Sequence, residues 1–324
     1  MCNLFKRHRN EELYVVTFVF NPQQYKSRIV LYKEFEERML EAGVTIIVVE
    51  ANLRHHPREI TEKKSKKHHI VHVEAECHLW LKENLINIGI EYLNATFPKW
   101  KYVAWIDADI AFVRPDWVQE TKRLLHTHPI IQMFSRISQL DSNYEPPLHG
   151  HTLSFMKGWT QGVMFRDKRI SKEDPCQIIY GWNGAPGGAW AATRECIDKI
   201  FPLFDINILG AGDYHTAIAL VGWGHLTFTN EHTDSYKWCL TQWEKKAKFL
   251  RGKIGYMRGL IVHYWHGSIK NRGYDTRWKI LVKHKYDPIK DLRKNKDGVY
   301  FIHKKEQLIG DIQKYFEARK EDEI

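Results

Sequence analysis

The sequence has few cysteines and no long apolar stretch, and both absences restrict the class of protein. Its five cysteines are an odd number, and none of them forms a Cys-x-x-Cys pair. This pattern indicates neither a disulfide framework nor a cysteine-based zinc site. No apolar run is long enough to span a membrane, and residues 1–9 do not resemble a signal peptide. We therefore expect a soluble protein of a reducing compartment, the cytoplasm, or the host cytoplasm for a viral protein.

The composition is globular and basic. Of 324 residues, 43% are hydrophobic and 13% aromatic, which suffices for a large core in one or two domains. The formal net charge of +10 fits a polyanionic partner such as nucleic acid, a lipid surface or a phosphorylated glycan, and equally a generic basic surface. The chain contains no internal repeat and no low-complexity segment, so neither a solenoid nor a disordered tract is predicted.

Alternating strand and helix patterns predict a parallel sheet. Strands are expected at 13–20 and 44–49, with a helix at about 24–42 between them that Gly43 ends. Such a βαβ unit with continuously apolar strands is typical of a parallel sheet covered by helices. The same criteria predict strands at 70–73, 102–106 and 130–134, helices at 76–93 and 115–125, a loop at 138–160, and Gly-rich turns leading into helices at 184–194 and 209–215.

The most informative motif is Trp105-Ile-Asp-Ala-Asp109, at the end of a predicted buried strand. Two carboxylates at such a position are costly unless a cation meets them. Hard oxygen ligands suit Mg²⁺ or Mn²⁺, so Asp107 and Asp109 are candidate ligands of a metal that carries a diphosphate. The alternative is that both acids cap the next helix. Ligands of open α/β sheets bind beyond the carboxyl ends of strands, which favours the metal site.

A second cluster of polar residues lies in the segment His263-Tyr-Trp-His-Gly-Ser-Ile-Lys270. His263 or His266 is a candidate third metal ligand, since imidazole binds Mn²⁺ well. Gly267 would let the backbone approach a phosphate, and Lys270 would neutralise diphosphate charge. The alternative is that at least one of the two histidines is a core residue.

Two glycine-containing segments are candidates for the catalytic side of a site. Asp213 follows Gly210-Ala-Gly212 and is the candidate general base toward an acceptor hydroxyl, although it is equally suited to cap the following helix. Gly188 and Trp190 are candidate ligand contacts, because glycine permits close approach of a ring and tryptophan offers a stacking face. A simple turn is the competing interpretation.

Three further residues are candidate donor contacts. Glu50, after the second strand, would accept a hydrogen bond from a ribose or base. Lys82 and Asn87 would reach a diphosphate or sugar, and ordinary helix-surface polarity explains them nearly as well.

Taken in order, these motifs resemble those of GT-A glycosyltransferases over residues 12–275. The resemblance rests on the order and strand-end placement of Asn21-Pro22, Glu50, Asn87-Ile-Gly-Ile90, Trp105-Ile-Asp-Ala-Asp109, Gly187-Gly-Ala-Trp190, Gly210-Ala-Gly-Asp213 and the segment His263–Lys270. It implies an α/β, Rossmann-like, mostly parallel sheet flanked by helices. It also implies a catalytic domain at 1–245 and a helical or irregular C-terminal extension at 246–324 that completes the site. Asn21 would then lie in the nucleotide loop.

The resemblance further implies a metal-dependent transfer of a sugar from a nucleotide diphosphate sugar, with UDP expected, to an acceptor hydroxyl. Inversion is expected with Asp213 as base, although a single acid stands where many relatives have consecutive acids. The acceptor is a glycan, lipid or protein, or a hydroxylated base in DNA. The alternatives are a nucleotidyltransferase and a basic nucleic-acid-binding protein without sugar transfer.

Overall fold

The computed structural model describes residues 11–145, 155–157 and 184–323, with backbone only at 155–157. Cys2, Cys176, the N-terminal nine residues and most of the predicted loop at 138–160 lie outside the described residues. Cys77, Cys196 and Cys239 are free thiols. None of the described helices has the length and apolar content needed to cross a membrane.

Seven strands form the central sheet, and most of its neighbouring pairs are parallel. The strands stand in the order β10-β6-β9-β4-β1-β2-β3, and only β9 runs antiparallel to its neighbours. The predicted α/β class, with a mostly parallel sheet flanked by helices, is confirmed. The seven strands are β1 (Leu13–Phe20), β2 (Thr45–Leu53), β3 (His68–Ala75), β4 (Tyr102–Ile106), β6 (Ile130–Gln132), β9 (Ala189–Thr193) and β10 (Ile254–Tyr256).

Two smaller sheets adjoin the central one. A four-stranded sheet has the order β5-β11-β7-β8 and consists of β5 (Ile110–Phe112), β11 (Leu260–His263), β7 (Arg136–Gln139) and β8 (Phe155–Lys157). A hairpin pairs β12 (Leu292–Lys294) with β13 (Tyr300–Ile302). Because β4 and β5 are consecutive, residues 107–109 form the turn between the central and the four-stranded sheet.

The described helices cover both faces of the central sheet. They are α1 (Lys26–Glu41), α2 (Lys82–Thr96), α3 (Trp117–Leu125), α4 (Arg194–Ile200), α5 (Gly212–Leu220), α6 (Asp234–Ala247), α7 (Trp278–Lys283), α8 (Pro288–Asp291) and α9 (Glu306–Glu317). Successive strand residues point to opposite faces, so Val15 and Ile46 pack in the cluster that includes side chains of α1 and α3. Val16 and Ile47 pack with α2 and α4 on the other face.

The helix start predicted within 184–194 lies at the last residue of that segment, and the strand before it was not predicted. Residues 189–193 form strand β9 in the middle of the sheet, and the helix begins only at Arg194. The segment Ala-Trp-Ala-Ala-Thr has no period-two alternation, since both faces of this strand are covered. Its pairing with β4 and β6 comes from distant residues, and this tertiary context overrides the local preference of alanine for helix.

Other element boundaries also differ from the prediction. Residues 76–81 are not helical, and α2 runs over Lys82–Thr96 instead of 76–93. Strand β2 continues to Leu53, which places Glu50 inside the strand. Residues 138 and 139, predicted as the start of a loop, are part of strand β7, because β7 pairs with β11.

The C-terminal part of the chain packs on the sheet from several directions. Strand β10 extends one edge of the central sheet, and β11 lies in the four-stranded sheet. Leu308 and Ile312 of α9 are buried in a cluster with Phe20 of β1. Asp322 then accepts hydrogen bonds from the backbone N–H groups of Lys26 and Ser27 (both 2.9 Å), which caps α1 from the other end of the sequence.

An asparagine joins helix α2 to the segment 203–205, and a glycine lets the helix lie close to the sheet. The Asn87 amide bonds with Leu203 (2.9 and 3.0 Å) and with the Asp205 carboxylate (2.9 Å). A Cβ atom on Gly89 would lie 2.5 Å from Val16 Cγ1 and 3.2 Å from Val49 Cγ2. The glycine therefore lets the helix backbone approach β1 and β2.

Replacing Gly89 with alanine should destabilise the protein by about 1–3 kcal/mol, because the new methyl group overpacks the sheet. Gly310→Ala in α9 is the matched control, since nothing lies within 4 Å of its added Cβ. There, alanine should raise the stability by up to about 1 kcal/mol. Urea unfolding of both variants measures the difference, and equal stabilities for the two would contradict the close contact at Gly89.

Candidate functional site

The turn between β4 and β5 carries the two aspartates at the centre of the site. The Asp107 N–H donates to the Gly188 carbonyl (2.9 Å), and the Tyr264 N–H donates to the Asp109 carbonyl (2.9 Å). These bonds tie the turn to the residues before β9 and after β11. Since His263 pairs with Ile110 in the antiparallel β5–β11 register, the histidine segment is brought beside Asp109.

Asp109, His263 and His266 form a compact group of potential metal ligands. The Nε2 atoms of His263 and His266 lie 3.5 and 3.2 Å from the Asp109 carboxylate and 3.4 Å from each other. All three donor atoms fall within 4.8 Å of one another. Sequence analysis left open which histidine meets the carboxylate, and the structure brings both to it.

The chemistry of this group fits a divalent metal ion. Burial lowers the pKa of His263 to about 3, and Arg272 acts in the same direction. Burial likewise lowers the pKa of His266 well below its ordinary value. Neutral imidazoles have a free lone pair, and Asp109 Oδ1 is buried without a hydrogen-bond partner in the described part of the chain. One carboxylate and two imidazoles are suitable ligands for Mn²⁺.

The Asp107 carboxylate pairs with a lysine and is not part of the Asp109–His263–His266 group. Lys82 Nζ lies 2.7 Å from both carboxylate oxygens of Asp107 and 3.8 Å from Asp213 Oδ2. Burial disfavours charge on Lys82, but Asp107, Asp213 and Glu83 outweigh burial and hold the pKa of Lys82 above its ordinary value. Lys82 is therefore a buried ammonium that links the turn between β4 and β5 to the segment containing Asp213.

Asp213 lies in the first turn of α5 and does not cap it. The capping position is Ala211, whose φ is +69° and whose side chain makes no cap, while Asp213 Oδ1 accepts from its neighbour Tyr214 N–H (2.8 Å). The Asp213 side chain is 33% exposed. A Cβ on Gly187 would lie 2.2 Å from Asp213 Oδ2, so the glycine leaves the room that this carboxylate occupies.

Glu83 is a buried carboxylate of this region that sequence analysis missed. It is 6% exposed, and a Cβ on Gly212 would lie 2.3 Å from its carboxyl carbon. Burial raises the pKa of Glu83 to about 8. Its position in the first turn of a helix is an ordinary place for an acid, so the sequence carried no signal of its burial.

Trp190 and Gly188 lie on the same side of the sheet end. Trp190 is 5% exposed and donates its indole N–H to the Pro186 carbonyl (2.8 Å). A cavity of about 30 Å³ lies between Trp190, Lys82, Asp107 and Asp213. Gly188 borders it at φ +93°. Trp190 thus lines the cavity from within a strand, and its stacking face is largely covered.

Three side chains predicted to contact the donor substrate form hydrogen bonds with other residues of the protein. Glu50, 1% exposed, accepts from the N–H groups of Glu59 (2.6 Å) and Ile60 (3.3 Å) and contacts His72 Nε2 at 3.1 Å. The Asn21 amide bonds with both the N–H and the carbonyl of Tyr25, at 2.9 Å each, and Asn87 bonds as described above. The structure does not bring these three side chains to the histidine group.

The segment after His266 carries two cations, of which Arg272 lies close enough to act on Asp109 and both histidines. Arg272 is 6% exposed, donates to the Gly267 carbonyl (3.4 Å) and the Tyr274 hydroxyl (3.3 Å), and leaves its Nε without a hydrogen bond. Lys270 is exposed at the surface. Within residues 11–145 and 184–323, neither cation pairs with a carboxylate. A buried guanidinium with an unused N–H donor and no carboxylate in direct contact favours an anionic ligand.

Gly267 permits a close approach of the C-terminal residues. Its φ is +90°, and an added Cβ would lie 2.9 Å from Glu321 Cα and 3.2 Å from the Arg319 carbonyl oxygen. The sequence predicted a close approach at this glycine, with phosphate as the partner. In the structure the approaching group is the backbone of residues 319–321.

No protein-family model and no curated protein sequence matches the chain. Similar solved structures include S. aureus TarS 1–349 in complex with UDP-GlcNAc, at 10% identity and a TM-score of 0.41 over 79% of this chain and 59% of that one. A Drosophila beta-1,4-galactosyltransferase 7 mutant in complex with manganese, UDP-Gal and xylobiose shares 11% identity. Its TM-score is 0.31, and the match covers 64% of this chain and 60% of that one. The 4-diphosphocytidyl-2C-methyl-D-erythritol synthase of Anaerococcus prevotii shares 10% identity. Its TM-score is 0.35, and the match covers 77% of this chain and 89% of that one.

Proposed function

We propose that the protein is a glycosyltransferase that moves a sugar from a nucleotide diphosphate sugar, with UDP the expected nucleotide, to an acceptor hydroxyl. The observation that carries this proposal is the juxtaposition of two groups. The Asp109–His263–His266 group lies beside Arg272, whose Nε has no hydrogen bond in the described part of the chain, and Lys82 connects the neighbouring Asp107 to Asp213. A site for a metal-bound anion next to a base is the arrangement that sugar transfer from a diphosphate requires.

Asp109, His263 and His266 would hold Mn²⁺ or Mg²⁺. When bound, the ion supplies positive charge that neutralises a diphosphate leaving group. Asp107 would join these ligands only by exchanging Lys82 for the ion, since both of its oxygens contact the ammonium group. Without that exchange, Asp107 keeps Lys82 charged and in place.

Arg272 and Lys270 would bind the diphosphate oxygens. Arg272 is held by Gly267 and Tyr274, so its guanidinium is already ordered and loses little conformational freedom when an anion binds. Lys270 is exposed and would add a second positive charge at the entrance. Gly188 and Trp190 would shape the sugar side of the pocket.

Asp213 would act as the general base. The acceptor oxygen forms a bond to the anomeric carbon, the bond from that carbon to the diphosphate oxygen breaks, and the acceptor proton passes to Asp213. A single displacement of this kind inverts the anomeric carbon. Lys82 Nζ lies 3.8 Å from Asp213 Oδ2 and would help to hold this carboxylate in position.

The acceptor is a hydroxyl on a glycan, lipid or protein, or on a hydroxylated base in DNA. The formal net charge of +10 supports a polyanionic acceptor. Phosphate contacts give a steep salt dependence, so acceptor binding measured against salt concentration separates nucleic acid from a neutral glycan.

A panel of UDP-, GDP- and TDP-sugars with and without Mn²⁺ tests the donor in a thermal unfolding assay. One nucleotide sugar should stabilise the protein only with metal, by about 2.7 kcal/mol at a concentration of 100 Kd. With an acceptor, the released product should be a nucleoside diphosphate. Release of pyrophosphate from a nucleoside triphosphate would instead identify a nucleotidyltransferase, and no stabilisation by any donor would contradict the proposal.

Asp109→Asn should lower Mn²⁺ affinity at least tenfold, because the carboxylate is the only anionic member of its group. Calorimetric titration with Mn²⁺ alone measures the effect without any donor. Asp275→Asn is the control, since Asp275 is an exposed acid in the same C-terminal segment. Equal Mn²⁺ affinity in the two variants would disprove the metal site.

Asp213→Asn should keep donor binding and reduce kcat by at least a hundredfold, since the amide accepts no proton. Gly187→Ala should give a similar loss without altering any charge, because its methyl group would occupy the position of Asp213 Oδ2. Asp198→Asn, in an exposed ion pair on α4, serves as the control. Near-normal turnover in Asp213→Asn would reject Asp213 as the base.

A further inference from the structure

The His266 ring has two nitrogens in different surroundings. Nε2 faces the Asp109 carboxylate at 3.2 Å and His263 Nε2 at 3.4 Å. Nδ1, on the opposite side of the ring, lies 3.9 Å from Glu321 Oε2. Both Nδ1 and that oxygen are buried and form no hydrogen bond in the described part of the chain, although the oxygen is in an ion pair with Arg28. Two complementary buried atoms thus face each other slightly beyond bonding distance.

Glu321 is a buried acid near the end of the chain that two arginines hold in place. Its side chain is 1% exposed. Arg28 Nε lies 2.6 Å from Oε2, and Arg28 Nη2 and Arg319 Nε donate to Oε1 (2.7 and 2.5 Å). Burial opposes ionisation, but the two guanidinium groups outweigh burial and hold the pKa of Glu321 below its ordinary value. The side chain is therefore an ordered carboxylate.

Backbone contacts seat this residue against the histidine segment. Gly267, directly after His266, has its Cα so close to Glu321 that a Cβ would lie 2.9 Å from Glu321 Cα. On the other side, Asp322 caps α1, and the Tyr25 hydroxyl accepts from Lys320 N–H and donates to the Phe316 carbonyl (3.0 Å each). The chain is therefore fixed on both sides of Glu321.

We propose that Glu321 is a positioning residue that accepts a hydrogen bond from Nδ1–H of His266 and thereby directs the Nε2 lone pair toward Asp109 and His263. A neutral imidazole carries one proton, so an acceptor at Nδ1 selects the tautomer whose Nε2 is free to bind a metal. A movement of about 1 Å by the Glu321 carboxylate brings the pair to hydrogen-bond distance. The inference depends on the proposed function in one respect only, namely that the ligand of His266 Nε2 is a metal ion.

The tautomer of His266 in the metal-free protein tests this inference directly. Nitrogen-15 NMR of the imidazole rings, assigned with a His266→Gln variant, distinguishes Nδ1–H from Nε2–H. We expect Nδ1–H in the wild-type chain, and an Nε2–H tautomer would overturn the inference. The measurement needs neither metal nor donor, so a protein that shows Nδ1–H and binds no Mn²⁺ would refute the proposed function and leave the role of Glu321 standing.

Variants of Glu321 test the consequence for metal binding, with Mn²⁺ alone as the probe. Glu321→Met removes the acceptor at similar length and should shift the tautomer and weaken Mn²⁺ binding about 10–100-fold. Glu321→Gln keeps an acceptor oxygen, so its Nδ1–H population and its Mn²⁺ affinity should lie between those of Glu321→Met and the wild type. Glu323→Gln, an exposed acid two residues later, is the charge control, and Ile312→Val in the α9 core is the stability control.

Wild-type Mn²⁺ affinity in folded Glu321→Met would refute the positioning role. So would an equal loss of affinity in Ile312→Val, since general loosening of α9 would then explain the effect. If Glu321→Met fails to fold, the wild-type tautomer and Glu321→Gln still decide the question.

Discussion

Two carboxylates at the end of a buried strand must be compensated by positive charge or by hydrogen bonds, and the rest of the site is arranged around this requirement. Leaving an ionised group buried and unpaired costs several kcal/mol, and the surroundings of the two aspartates differ in this respect. Asp107 contacts the Lys82 ammonium, and Asp109 contacts two imidazoles. The first contact joins the turn to Asp213 through Lys82. The imidazoles are neutral and Asp109 Oδ1 accepts no hydrogen bond in the described part of the chain, so this group favours a cation.

Much of the central sheet could be predicted because its strands are marked by local signals. The observed limits of β1 and β4 are those predicted, since an apolar run is followed in one case by Asn21-Pro22 and in the other by Asp107. Strand β9 could not be predicted. Its alanines favour helix locally, and only pairing with β4 and β6, far apart in the sequence, makes the segment a strand.

The candidate site was predictable where a residue type is unusual for its local position. An aspartate at the end of an apolar strand is unusual, as are two histidines three residues apart beside a glycine. Glu83 and Glu321 are not unusual in this sense, because the first lies in a helix start and the second in the charged run 319–323. Their burial depends on Gly212 in one case and on Arg28 in the other, and neither contact leaves a mark on the neighbouring sequence.

The same contacts explain why the site depends on the whole length of the chain. The β5–β11 pairing alone brings His263 to Asp109, because the register puts His263 opposite Ile110. His266 lies beyond that strand. Its Nδ1 atom faces Glu321, which Arg28 of the first helix holds in place. A chain whose last residues are undocked would therefore keep one histidine beside Asp109 and lose the contact that orients the other. Docking of the C-terminal residues on α1 is in this sense a step in assembling the site, separate from formation of the sheet.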